Sequence, residues 1–512
     1  MAKAIRNRAS RQSYQSPGQL TISGFETPFV NNLDSKNRWV VLADQIPWDV
    51  LVGIYTAGMK NQRTGAGGVN PRVVLGSLII KHMCNLSDRQ TVQHIQENLY
   101  MQYFIGYSSF SNEIPFDPSL FVEFRKRLGA DHINRINEKI LGLGQFSEEK
   151  AESCKVESSD DSGGKNPDDT IEKSREEKPT HKGKLITDAT ACPQDIAFPT
   201  DLNLLNDARM KSEEILDEVF DRDLHDAKPR NYRNKARKQY LKTAQKKVKS
   251  KKVIRKAVRQ QLNYVNRNLK SIDRLLDSYD EIPLDPVAYK YLLVIRTLYD
   301  QQKYMYDNKV KRIDDRIVSI HQPHVRPMVR GKVNASTEFG AKIQVSLMQG
   351  YAFLDELSWD AFNEGTKLIS TVRKYKHRFG YYPEQVLADK IYCTRKNRKA
   401  LKELGVKLRA KPLGRPKAND PYKITPGERN PIEGFFGQAK SGYGMNRIKA
   451  RLKQTSESWI ASIVMVLNLV KLAKGAHPCH LINLLTYSAQ CVKRSISIVL
   501  VRTRNPALLD II

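Results

Sequence analysis

The sequence predicts an α/β protein. A mixed sheet with flanking helices follows a helical N-terminal domain, and a helical-hairpin insertion interrupts the sheet after its first strand. Three observations carry this prediction. Two short strand-like runs, Leu185 to Thr190 and Val386 to Asp389, lie about two hundred residues apart. Between them Ile254, Val258, Leu262, Val265, Leu269, Ile272 and Leu276 recur at spacings of three and four, the seam of packed helices. Ahead of them, residues 38–145 show helix signals only.

Taken in order, residues 1–37 are polar and basic and predict a flexible N-terminus. Asn70-Pro71 is a helix start, an N-cap followed by a proline whose missing N–H costs nothing there. The helix Val73 to Met83 is apolar on most sides and predicted buried. Ser87-Asp88-Arg89-Gln90 is a capping-box pattern opening a helix with Val92, Ile95 and Leu99 on one face. A loop at Pro115 to Ser119 precedes a last helix of this domain, Leu120 to Leu128, carrying Arg125, Lys126 and Arg127.

Residues 146–182 predict a disordered acidic linker, since Glu148 to Lys178 holds 11 acids, 6 bases and few apolar groups. Residues 203–324 form the insertion. Its segment Lys228 to Arg259 holds 15 Lys and Arg and no acid. After Pro283 and Pro286, Leu292, Ile295, Tyr299, Met305 or Tyr306, Val310 and Ile313 outline the second helix of the hairpin.

Lys342 to Leu347 alternates as a strand, with Tyr351 to Leu357 as its hairpin partner across Gln349-Gly350. Thr366 to Phe379 and Lys396 to Leu404 are helices, with a strand at Gln385 to Asp389 between them. A strand at Lys407 to Ala410 leads into a Pro, Gly and Lys-rich loop up to Gly427, and then a helix bears Glu433. The sheet-bearing core is thus expected over 183–202 and 325–475, with a helical tail over 476–512.

Composition sets the partner. Lys plus Arg is 85 against 55 Asp plus Glu, a formal net charge of +30, so a polyanion such as nucleic acid is expected. The six cysteines form no CxxC pair, which excludes a zinc ribbon or a disulfide framework and fits a reducing compartment. No apolar run follows the basic first residues, so no secretory signal is expected. The longest apolar stretch, Trp459 to Val470, is shorter than the roughly 20 residues of a membrane span. A soluble cytoplasmic protein is expected. No GxxxxGK[ST] occurs, so no nucleotide cofactor is expected.

Three carboxylates stand out: Asp188 and Asp389 on strand-like runs, and Glu433 at a helix start. Each has a bland alternative as a turn or cap residue. As a set, in a basic protein, they could hold two divalent cations about 4 Å apart for phosphoryl transfer. On a continuous helix Arg429, Glu433 and Lys440 would point within about 40° of one face. His321 and His324 flank a proline and remain a weaker metal alternative.

The chain resembles a DDE transposase of a bacterial insertion sequence. Thr187-Asp188-Ala189-Thr190 resembles the first acid, and Ala388-Asp389-Lys390-Ile391-Tyr392 with Asn397-Arg398 the second. Arg429-x3-Glu433-x6-Lys440 matches the R-x3-E-x6-K part of the family signature, whose tyrosine is replaced here by Pro426. Leu86-Ser87-Asp88-Arg89, Pro115 to Ser119 and Phe124 to Gly129 resemble the helical N-terminal domain of the same transposases.

The resemblance implies a ribonuclease H-like sheet and a two-step reaction. Two Mg²⁺ ions (Mn²⁺ as substitute) on Asp188, Asp389 and Glu433 would support hydrolysis at the element's end and attack of the freed 3′-hydroxyl on target DNA. Arg429 and Lys440 would clamp phosphates. Arg89, Arg125, Arg127, Arg398 and Arg447 are further DNA-binding candidates, and Lys246, Lys247, Lys251 and Lys252 join them on charge alone. Double-stranded DNA, both terminal inverted repeats and target, is the implied partner. A homodimer in a synaptic complex and a nucleoid-associated location in a prokaryote are implied with it. A stand-alone metal nuclease and a catalytically inactive DNA-binding protein are the alternatives.

Overall fold

A computed structural model describes residues 33–57, 68–142, 181–329, 337–410 and 427–474. The expected C-terminal tail, and nearly all of the expected N-terminus, acidic linker and Lys411–Gly427 loop, lie outside the described residues.

Among the described residues seven helices come first: α1 (Arg38–Gln45), α2 (Trp48–Ala57), α3 (Pro71–Met83), α4 (Asp88–Glu97), α5 (Leu99–Phe104), α6 (Leu120–Arg127) and α7 (Ala130–Ile140). Local chemistry sets their starts. Asn70 caps α3 by accepting from the Arg72 N–H, and Ser87 and Gln90 close a reciprocal capping box on α4. α3 is buried on nearly every side, as its composition predicts. The sequence reading ended this segment at α6. The structure adds α7, whose Ile133 and Ile136 face the core.

The sheet has six strands: β1 (Lys184–Pro193), β2 (Arg326–Val329), β3 (Thr337–Met348), β4 (Tyr351–Ser358), β5 (Gln385–Leu387) and β6 (Lys407–Arg409). β3 lies antiparallel to β1, and β2 and β4 pair antiparallel with successive parts of β3. On the other side of β1 come β5 and β6, both parallel to it. The β3–β4 turn uses left-handed Gln349 and Gly350, at φ 50° and 81°.

Two layers cover the sheet. Odd and even strand positions face opposite sides, as pleating requires. Leu185, Phe353, Val386 and Ala388 pack with Leu368, Val372 and Tyr375 of α12 (Glu364–Phe379) and Leu401 of α13 (Arg395–Glu403). Ile186, Leu354 and Leu387 face α14 (Asn430–Gly442), α15 (Lys453–Lys474) and the N-terminal helices. One apolar cluster therefore runs from Trp39 of α1 to Leu469 of α15. By length and composition α15 could cross a membrane, yet it is largely buried against α7, β4, α3 and α6. It is a core helix, ten residues longer than the apolar run that marks it in the sequence.

Between β1 and β2 the chain builds four helices where a two-helix hairpin was expected: α8 (Asp201–Val219), α9 (Arg233–Ala244), α10 (Lys251–Leu276) and α11 (Pro286–Asp307). α8, α10 and α11 share a separate core that includes Leu205, Ile215, Val265, Ile272 and Ile295. The seam holds from Val258 onward, but Ile254 is exposed, and α11 stops before Val310 and Ile313.

Candidate active site

The site begins with strand register. Ile186 of β1 pairs with Leu387 of β5 in parallel, so two residues further on Asp188 stands level with Asp389. β5 ends at Leu387, and Asp389 caps a 3-10 turn, Lys390–Tyr392, accepting from the Lys390 N–H at 2.7 Å. The bland reading as a cap is therefore true of Asp389, and does not exclude a second role. α12 presses onto this turn. A Cβ on Gly365 would lie 2.6 Å from the Ile391 carbonyl, and Asn397 donates to the carbonyls of both Gly365 and Tyr392 at 2.7 and 2.9 Å.

Arg429 joins the two aspartates. Its Nη2 donates to Asp188 Oδ2 at 2.9 Å, and its Nη1 lies 3.3 Å from Asp389 Oδ1. The preceding Glu428 is turned the other way, onto Arg409 of β6 at 2.8 Å, which fixes the side on which Arg429 emerges. Arg429 is itself the N-cap of α14, with Asn430 and Pro431 as its first helical residues. Its Nε is buried without a hydrogen-bond partner among the described residues.

Burial pushes the Asp188 carboxyl above its usual range. The Ala189 N–H and the Arg429 guanidinium pull it back, and the charges on Glu364 and Asp389 push it further up. Glu364 is the residue that sequence reading missed. It opens α12 and pairs with Lys342 of β3 at 2.7 Å. Only its acidic place in a helix's first turn marks it in the sequence, and that is common.

Glu433 lies one turn into α14 and is exposed. Among the described residues no three His, Cys, Asp or Glu side chains stand close enough to hold a metal ion. The structure thus brings Asp188 and Asp389 together about one guanidinium and leaves Glu433 outside the pair. Two carboxylates already sharing one cationic group have the hard oxygen chemistry that suits Mg²⁺. His321 and His324 do not make a metal pair: Tyr291 shares a 2.9 Å hydrogen bond with His321, and His324 packs edge-on to Trp359.

The basic candidates divide. Arg125 is buried and doubly hydrogen-bonded to Asp88 at 2.9 and 3.0 Å, so it is a structural residue and not a DNA contact. Arg89 is exposed, and Arg127 is exposed beside the Tyr55 hydroxyl. Arg398 rests on the Cys393 sulfur, and Arg447 pairs with Asp195 at 2.9 Å. Lys440 is half-buried on α14. Lys246, Lys247, Lys251 and Lys252 are exposed at the α9–α10 link.

Residues 386–470 match the transposase DDE domain family, and residues 28–127 match the transposase domain DUF772. The first match includes Asp389, Arg429, Glu433 and Lys440. A curated relative, "Uncharacterized protein ORF8 in nfe locus" of Rhizobium meliloti, is 30% identical over 122 residues. That alignment covers 22% of this chain and 56% of the relative, so the chain spans about half of the relative's length. No solved structure matches the chain. One match lies over the N-terminal helices and the other over the segment bearing Asp389 and Glu433, and over those residues the chain is similar to transposases.

Proposed function

We propose that the protein cuts DNA at the terminal inverted repeats of an insertion sequence and joins the freed ends to target DNA. The bridging of Asp188 and Asp389 by Arg429 carries this reading. A ribonuclease H-like core is part of it. In its support, β4, β3, β1, β5 and β6 follow one another across the sheet with the first three antiparallel and the last two parallel to β1.

Asp188, Asp389 and Glu433 would hold the two Mg²⁺ ions, or Mn²⁺ in their place, with Glu433 assigned from spacing in the sequence. Bound there, such ions would activate the attacking oxygen and stabilise the leaving one. Arg429 would balance the aspartates while DNA is absent and turn to a phosphate when it arrives. Its planar fork suits that contact. Lys440, further along α14, would take a flanking phosphate. Arg89 and Arg127 on the N-terminal helices would contact the repeats, with Arg398 and Arg447 on phosphates nearer the core. Joining two ends calls for a homodimer in a synaptic complex.

A cleavage and strand-joining assay on labelled repeat ends tests the reading. Asp389→Asn should abolish both steps in Mg²⁺ while duplex binding persists. Retained cleavage would remove Asp389 from the mechanism. Arg429→Lys and Lys440→Ala should weaken joining in folded protein, because neither variant restores the lost phosphate contact. Cleavage without any joining in the native protein would favour the stand-alone nuclease. Binding without cleavage would favour the inactive DNA-binding protein.

A further inference from the structure

We propose that the four-helix insertion is a two-poled element. Its basic pole, at the end rooted on the sheet, holds duplex DNA by its phosphates, and its acidic pole points away from that duplex. The identity of the partner rests on the function proposed above. The geometry does not.

Contacts along the bundle fix which end is which. α8 leaves the sheet at its Thr200 cap, and the chain returns beside it, with Gln302 and Arg316 both bonded to Asp201 at 3.2 and 2.6 Å. α9 runs from Asp217, which pairs with Arg233 at 2.7 Å, back to Asn203, which accepts from the Tyr240 hydroxyl at 3.2 Å. It therefore delivers residues 245–250 to the rooted end. α10 starts there, with the Arg255 guanidinium 4.2 Å over the ring of Tyr306, close after Gln302 on α11. Its other end lies by the end of α8, where the Tyr279 hydroxyl donates to the Val219 carbonyl at 2.7 Å.

This path sorts charge. The densest part of the basic run, Lys246 to Lys256, collects at the root. Asp221, Asp223 and Asp226 after α8, and Asp277, Asp280 and Glu281 after α10, collect at the far end.

Most bases of the basic pole have no acidic partner among the described residues. Of the 15 bases between Lys228 and Arg259, Lys228 and Arg233 pair with acids, both toward the far end at Asp217. Lys251, Lys252, Arg255 and Lys256 occupy the first turns of α10 with no acidic partner among the described residues. Cations at a helix N-terminus oppose the macrodipole, and an external anion relieves both conflicts at once.

The side chains also select the form of the polyanion. Val248 and Ile254, exposed on the link and the first turns of α10, are not aromatic, so the lysine-bearing stretch itself offers no platform for stacking unpaired bases, although Tyr304 of α11 is exposed at the same end. Lysines dominate, and they act as point charges on phosphates rather than as forks reading base edges. The geometry therefore fits a duplex held without sequence preference.

The test uses full-length protein, without divalent ions, and an unrelated duplex, with affinity measured across a salt series. Replacing Lys246, Lys247, Lys251 and Lys252 by Gln should lower the salt slope by up to about 3.6, at about 0.9 per phosphate contact. Neutralising Asp277, Asp280 and Glu281 should leave the slope in place. Circular dichroism checks the fold. If the fourfold variant misfolds, Lys246→Gln with Lys247→Gln in the inter-helix link replaces it, with an expected drop of up to about 1.8. An unchanged slope at the basic pole, an equal drop from the acidic pole, or tighter binding of single-stranded than duplex DNA would each overturn the proposal. A native protein that shows the expected slopes but never cleaves DNA would sink the transposase reading and leave this one standing.

Discussion

Asp88 shows how one carboxylate can decide the fate of two buried cations. Lys81 and Arg125 are almost wholly buried, and both reach Asp88, at 2.8 and 2.9 Å. Burial acts to raise the Asp88 carboxyl, but the hydrogen bonds and charges of Arg125 and Lys81 outweigh it and hold it below its usual range. Burial likewise depresses Lys81. Asp88→Ala should therefore cost about 3 kcal/mol, because it strands two desolvated cations against Trp459. Urea unfolding would measure it, and a loss under about 1 kcal/mol, the range of exposed pairs, would show that solvent reaches them. Sequence reading found Asp88 as a helix start because capping is local. It took Arg125 for a DNA contact because the pairing spans 37 residues and leaves no local trace. Asp188 and Asp389 were legible for the opposite reason, since each sits on or just past a short apolar strand. That Arg429 lies between them depends on register, which no local pattern encodes.

At the scale of elements, the connection from α11 to β2 carries a pH dependence. His324 is held edge-on to Trp359, 4.4 Å between ring centres, and its pKa is lowered to about 4 by burial and by the charges of Lys453, Lys290 and Arg326. Since the folded value lies below the unfolded 6.5, stability is full above pH 6.5 and is lost as pH falls toward 4. His324→Phe should flatten the fall in melting temperature between pH 6.5 and 4 relative to the native protein. Parallel curves for the two proteins would show that His324 is solvated. Helix existence was legible throughout, from caps such as Asn70 and Ser87 and from the α10 seam. α7 and α9 were not separated from their neighbours, because their boundaries depend on what they pack against rather than on strong stop signals.

For the whole molecule, the N-terminal helices and the sheet form one packed body. Asn468 of α15 accepts from the Ala352 N–H of β4 and donates to the Ala352 carbonyl and to Asn137 of α7, each at 2.8 Å. All three residues are buried. Asn468→Leu removes the acceptor of the Ala352 N–H and the donor to Asn137 Oδ1, a loss of about 2–3 kcal/mol. Calorimetry should show a single transition moved down as a unit. Two separate transitions in the native protein would mean that the helices unfold independently. Sequence reading treated residues 38–145 as a domain on its own, since helical periodicity reports that a face is buried and not what it is buried against.

The insertion poses a kinetic problem as well as a spatial one. β1 and β3, the central antiparallel pair, are separated by about 140 residues, and closing a loop of that length costs entropy before any strand contact repays it. The bundle answers this with its own core and with Asp201 tied to Gln302 and Arg316. If it folds first, its two ends are already side by side, and the loop that β1 and β3 must close shrinks from about 140 residues to under about 30. Pulse-labelled hydrogen exchange during refolding should then protect α8, α10 and α11 before β1 and β3. Strands protected ahead of the bundle would mean that the chain closes the long loop unaided.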